Sequence, residues 1–249
     1  MEAKEEDIFS RPAPDENGVR RHFLRHMVCE LRFPILLELA EQAPAKFQKA
    51  IRAEFPHFER KWDITVDPAT PSPVYETRYV FGSRDLKWSL TLKPSSLSLE
   101  TLAYTRFSEF WRQLKTAFSH ARRELDIPFL TRVGVRYINA IPIAGELPPG
   151  WINADLVRPF EQRSFRAISL YRQEIRGLAS FGSFSLRHGL EPPHNTAYTV
   201  DLDHYAESVE LDSLETNVRA LRDEANKLFF WVIGPKSLAY MREESEDRP

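Results

Sequence analysis

The chain has 249 residues, 34 Lys and Arg against 36 Asp and Glu, and a formal charge of -2, so it is long enough for one large domain or two small ones. Charges so evenly balanced and interspersed lack the basic excess of a typical nucleic-acid binder and the basic amphipathic helix of a membrane-surface protein. The single cysteine, Cys29, cannot close an internal disulfide, and the first residues carry Lys and Glu where a secretory signal needs an apolar run. We therefore expect a cytoplasmic protein with no membrane contact; no window approaches the 18 or so apolar residues of a membrane helix.

Residues 1–20 are charged and contain prolines and an Asn-Gly pair, a composition that cannot bury enough surface to order itself, and 243–249 read the same way. From 27 to 33 the pattern alternates, with Cys29, Leu31 and Phe33 on one face and Val28, Glu30 and Arg32 on the other, as in a half-buried strand. Pro34 stops it. Leu36, Leu37, Leu39 and Ala40, then Phe47, Ile51 and Phe55, fall at helical spacing interrupted by Pro44, which predicts one kinked helix or two short ones. Trp62, Ile64 and Val66 alternate with polar residues, and 67–73, with three prolines, is a loop.

Three alternating segments follow at 75–80, 86–92 and 97–101. The middle one points Leu86, Trp88, Leu90 and Leu92 inward, and the turn-type connections at 82–85 and 93–96 make the three consecutive and antiparallel. Thr105 reads as the cap of the strongest helix, whose stripe is Phe107, Phe110, Trp111, Leu114, Phe118, Ala121 and Leu125, with Arg112, Lys115, Arg122 and Arg123 off it. A strand over 130–143 closes this first unit. Beyond a Pro-rich linker or crossover at 144–163 come strand-like runs at 165–176, 179–190 and 197–209. Asp212 and Glu215 then form a capping box for a helix with Leu214, Val218, Leu221, Ala225, Leu228 and Val232 buried. The expected fold class is α+β: antiparallel β-sheets packed by two long amphipathic helices. Its organisation is a disordered lead (1–20), a first unit (21–143), the linker (144–163), a second sheet-plus-helix unit similar to the first (164–242) and a disordered tail (243–249).

Chemical motifs are sparse. His22 and His26 sit four apart at a strand entrance, where that spacing does not bring them together, and His188 and His194 flank a Pro-Pro turn, so no metal site is expected. Neither a phosphate-binding P-loop nor a dinucleotide fingerprint is present; Gly177 to Gly182 reads as a hairpin turn, and no cofactor is expected. No nucleophile elbow occurs, Cys29 lies on an apolar strand face, and no catalytic residue is assigned. Asp201 and Asp203 share a strand face, where they could hold a cation or stand as the solvated side of a sheet.

The most informative charges are Glu30, Arg32, Arg132 and Arg136, with Asn139, embedded in two otherwise apolar strands. Charges so placed need solvent or a partner, and if the strands are neighbours Glu30 and Arg136 could pair across them. Such a face is either a structural ion pair or a surface that receives a ligand or another chain. Glu30, Arg32, Arg132, Arg136, Asn139, Asp201 and Asp203 are therefore the candidate ligand- or partner-binding residues.

The stretches Val28 to Pro34 (VCELRFP), Ser96 to Tyr104 (SLSLETLAY) and Thr131 to Asn139 (TRVGVRYIN) resemble, in order and spacing, a sporadically distributed family of bacterial and archaeal proteins of about this length. No activity, cofactor or catalytic residue is attached to that family. Patchy distribution is typical of genes that travel with antiphage-defence islands or toxin–antitoxin cassettes. Together with the lack of a catalytic constellation, the resemblance points to a non-enzymatic component with a protein partner, to be sought first in the neighbouring gene, while homo-oligomerisation stays open. The alternative is a small-molecule-binding protein or an enzyme of unrecognised type, with a pocket between sheet and helices lined by Trp62, Trp88, Tyr137 and Arg136. Nucleic-acid contact through Arg112, Lys115, Arg122 and Arg123 is the weakest reading.

Overall fold

The computed structural model describes residues 7–12, 19–65, 73–143, 148–161, 168, 170–190 and 197–243. Most of the expected lead, all but the first residue of the expected tail, the 67–72 part of the loop, and His194 lie outside them. The strands are β1 (Leu24–Arg32), β2 (His57–Thr65), β3 (Val74–Gly82), β4 (Trp88–Lys93), β5 (Ser96–Thr101), β6 (Leu130–Pro142), β7 (Tyr171–Leu178), β8 (Ser183–Leu190) and β9 (Ala197–Val209). The helices are α1 (Glu38–Glu41), α2 (Ala45–Ile51), α3 (Phe107–Leu125), α4 (Ala154–Glu161), α5 (Leu214–Val232) and α6 (Pro235–Arg242). Instead of several sheets, the described residues form one nine-stranded antiparallel sheet, in the order β2-β3-β4-β5-β1-β6-β9-β8-β7, and the class is α+β. Among the described residues no helix is long and apolar enough to cross a membrane.

The chain separates into two compact units, one of residues 26–135 with 206–218 and the other of residues 1–25, 136–205 and 219–249. In the first, hairpin register carries the sequence alternation across four strands. Phe81, Leu90, Leu99 and Cys29 stand side by side, as do Tyr79, Leu92, Leu97 and Leu31, and all eight are 0% exposed. Burial of this kind contributes about 1.5–3 kcal/mol per large apolar side chain. Tyr79 keeps its hydroxyl satisfied by donating to the carbonyls of Leu39 (2.9 Å) and Gln42 (3.1 Å), which ties α1 to β3. Burial likewise pushes the Cys29 thiol pKa up, consistent with an inert hydrophobe.

Local chemistry moved two expected boundaries. Leu86 does not point inward. Ser83 Oγ accepts from the Trp88 N–H (3.0 Å) and Asp85 Oδ1 from the Lys87 N–H (3.2 Å), so the turn outlasts the expected four residues and leaves Leu86 at φ 58° and 66% exposed. Thr105 is not the cap of α3 either: Arg106 occupies that position, and the Thr105 hydroxyl bonds the Glu109 carboxylate instead (2.5 Å). α3 buries Phe107, Phe110, Trp111, Leu114, Ala117, Phe118, Ala121 and Leu125, and α5 enters through a 3-10 turn, Leu211–Ser213, where Asn217 donates to the Ser213 carbonyl (2.7 Å). Of the two possibilities around Pro44, the chain takes two short helices, because Pro44 stands at the start of α2.

The second unit has its own core, built on Phe23, Ile141, Leu156, Phe160, Leu186, Tyr198, Val200, Leu202, Leu228 and Val232. Ile8–Ser10 adds one 3-10 turn whose Phe9 is 5% exposed and meets Phe184 at 5.2 Å. Two histidines lie in this unit's interior. His204 is 0% exposed and stacks on Phe184 at 5.8 Å, and His188 is 3% exposed beside the Tyr198 hydroxyl (2.7 Å). Burial lowers both imidazoles to about 4 from an ordinary 6.5.

A lowered folded-state pKa means that the unfolded chain takes up the proton first as pH falls. The stability held above pH 6.5 should therefore drain away between 6.5 and about 4. Urea unfolding over that range should show a falling midpoint for the wild type and a flatter fall for His204→Phe; identical pH profiles would contradict the buried neutral imidazole.

Candidate functional site

Strand alternation that buries one row of side chains delivers the next row to the opposite face, and both units carry charges there. In the unit of residues 26–135, the row beside the buried ones runs Val80, Thr91, Ser98 and Glu30. Glu30 Oε2 accepts from Arg32 Nε at 2.7 Å and from Arg132 Nη1 at 3.1 Å. The Arg132 side chain is 17% exposed and lies over Gly134, where a Cβ would come within 2.9 Å of its Nη1. Gly134, having no side chain, leaves room for that guanidinium to lie along the strand where it reaches Glu30. One rung away His26 Nε2 is 3.1 Å from Glu100 Oε2, and that bond holds the Glu100 carboxyl below its usual range. Farther out, Lys93 Nζ donates to Asp63 (2.5 Å) and Glu76 (3.2 Å).

In the other unit, register lines up Glu174, Arg187 and Asp201 as one rung across β7, β8 and β9, and Arg176, Ser185 and Asp203 as the next. Arg136 forks onto Asp201, Nε to Oδ1 at 2.7 Å and Nη2 to Oδ2 at 2.6 Å, the bidentate geometry that a guanidinium favours. The Asp201 side chain is only 10% exposed. Its hydrogen bonds to Arg136 raise the guanidinium pKa further, and Asp203 adds to the same field. Arg187 Nη1 lies 3.7 Å from Asp201, while Arg187 Nε donates to Glu174 at 3.0 Å, as do Ser185 Oγ at 3.0 Å and Arg176 Nε at 2.8 Å. Charge therefore alternates along Glu174, Arg187, Asp201 and Arg136.

An open depression of about 460 Å³ adjoins this rung, lined among others by Arg172, Glu174, Arg187, Gly189, Thr199 and Asp201. Gly189 is required there because a Cβ would collide with the Tyr171 carbonyl oxygen. Two guanidiniums and two carboxylates around one opening can hydrogen-bond a polar group of either sign.

The anticipated charges are real features of the strands, but they pair differently from the sequence expectation. Glu30 meets Arg132 and not Arg136, because the rung that suits Glu30 falls four residues earlier on β6. Asn139 differs from Arg136 by an odd number of residues and turns the other way; it is 5% exposed, and its Nδ2 donates to the Val200 carbonyl at 3.4 Å. The same parity separates Arg136 from Tyr137, so the two cannot line one pocket face, and Trp62 is 55% exposed. On α3, Lys115 lies 4.0 Å from Glu215, and Arg123 bonds Glu124 at 2.9 Å. Among the described residues no group of three His, Cys, Asp or Glu side chains is placed to hold a metal ion. Sequence reasoning missed Glu174, Arg187, Ser185 and Gly134; Arg187 and Glu174 were visible as charges inside strand-like runs, but only the register relates them to Asp201.

Replacing Arg136 by Met should leave Asp201 nearly buried without its fork and cost about 1–2 kcal/mol of unfolding free energy, a charged hydrogen bond discounted for the half-exposed arginine. Combined with Asp201→Asn in a double-mutant cycle, the two losses should be clearly less than additive; strict additivity would mean that the pair is not coupled.

No protein-family model and no curated protein sequence matches the chain, so the reading of this site rests on its own geometry.

Proposed function

We propose that this chain is a non-enzymatic protein-binding component, and that its binding surface is the charge-balanced polar face around Arg136, Asp201, Arg187 and Glu174. The observation that carries the reading is the alternating rung of ion pairs beside an open depression that Arg187, Glu174 and Asp201 help to line. Neighbouring charges hold one another in fixed rotamers, so a partner that supplies complementary polar groups meets a pre-organised surface. Mixed sign argues against a polyanion such as nucleic acid, which calls for cations in excess. Glu30, Arg32 and Arg132 form a second charged cluster of the same character.

The resemblance to a sporadically distributed family makes an antiphage-defence or toxin–antitoxin system the favoured setting, with the partner encoded beside this gene. Each of α3 and α5 has 19 residues, and in this reading they are the two long amphipathic helices.

The depression supports a second reading, because about 460 Å³ lies within the range of small-molecule sites. Its open character favours the macromolecular partner, since small ligands usually need enclosed walls.

Co-expression of the tagged protein with its genomic neighbour should yield a complex that Arg187→Glu weakens by tenfold or more, roughly the effect of one lost central charge pair. Failure of the wild type to retain that neighbour, or retention unaffected by Arg187→Glu and Asp201→Lys alike, would refute the assignment of this surface. A polar metabolite that raises the melting temperature of the wild type but not of these variants would favour the second reading.

A further inference from the structure

The sheet ends on β2, whose outer edge is unpaired by any strand among the described residues. An unpaired edge offers a row of backbone donors and acceptors to any chain that can align with it. β2 does little to hide that row. Its apolar face carries Phe58 (41% exposed), Trp62 (55%) and Ile64 (60%), with Tyr75 (62%) standing opposite Ile64 on β3. This is the richest exposure of large apolar side chains on any strand of the 26–135 unit, and β2 contains no proline to break pairing. The other face carries Glu59, Lys61 and Asp63, alternating in sign two residues apart.

That alternation favours one particular occupant. We propose that β2 pairs with β2 of a second copy of this chain, antiparallel and centred on Trp62, so that two sheets join edge to edge in a homodimer. A two-fold axis perpendicular to the sheet keeps each face on its own side, so paired positions must share parity. Few registers satisfy that rule and the charges together. Centring on Lys61 sets Lys61 against its own copy and Glu59 against the partner's Asp63, all like charges. Centring on Glu59 or on Asp63 opposes two carboxylates, and centring on Arg60 opposes two guanidiniums.

Centring on Trp62 opposes Lys61 to the partner's Asp63 twice over, lays Trp62 against the partner's Trp62, and brings no like charges opposite one another. Asp63 is suited to a shared role. Its side chain is 33% exposed while it bridges Lys93 and Arg78, the latter at 3.3 Å, and the Lys93 hydrogen bond keeps its carboxyl below the usual range, hence ionised. Arg60 lies over the Trp62 ring at 5.5 Å and over Tyr79 at 5.8 Å, which steadies the central indole in the position the partner would meet.

Sedimentation equilibrium on the full chain tests the proposal. The wild type should be a reversible dimer. Lys61→Asp and Asp63→Lys, taken singly, each set two pairs of like charges across the edge and should weaken self-association by about tenfold or more. Mixing the two single variants should restore it as a heterodimer, because every opposed pair is then attractive. Thermal melts serve as the control that each variant is folded, and Lys61→Asp leaves the Lys93 to Asp63 bond untouched if Asp63→Lys proves unstable. A wild type that stays monomeric at every concentration would overturn the proposal, as would a dimer that both variants leave unchanged.

Discussion

A strand can bury one row of side chains only by sending the neighbouring row the other way, and this constraint governs what the protein can be. In the unit of residues 26–135 the buried row is complete across four strands, from Phe81 to Cys29 and from Tyr79 to Leu31. Once those positions are committed to the core, Glu30, Ser98, Thr91 and Glu100 have no choice of face. Each hairpin register then decides which of the displaced charges meet.

Charges brought together on a half-exposed sheet face are stable only if they satisfy one another, and two solutions are visible. Glu30 collects two guanidiniums, one of which reaches it by lying over Gly134. Asp201, nearly buried, is held by the fork of Arg136, with Arg187 linking it to Glu174. Ion pairs of this kind contribute little to stability where they are exposed. Their larger effect is to fix side-chain geometry, and a surface with fixed, alternating charge suits selective recognition better than adhesion.

The interior of the other unit follows a different economy. Leu186, Val200 and Leu202 continue the apolar side of β8 and β9, yet His188 and His204 occupy the same side and are kept neutral by burial. Two imidazoles in an aromatic setting of Phe9, Phe184 and Tyr198 pack as flat rings at neutral pH, so the composition of this core makes acid its weak point.

What the sequence determined by itself was periodicity: where Cys29, Leu31, Leu90 and Leu92 would be buried, that α3 had one apolar stripe, that the class was α+β, and that Glu30, Arg32, Arg132, Arg136, Asp201 and Asp203 were charges in strands. Turn chemistry at Ser83 and Asp85 and the entrance of α3 escaped it by a residue or two, because competing local hydrogen bonds differ by little in energy. Partnership was decided only by tertiary structure. Whether Glu30 meets Arg132 or Arg136 depends on register between strands about a hundred residues apart, and whether Arg187 joins Asp201 depends on the order of strands in one sheet, both settled by long-range pairing that no local window of residues encodes.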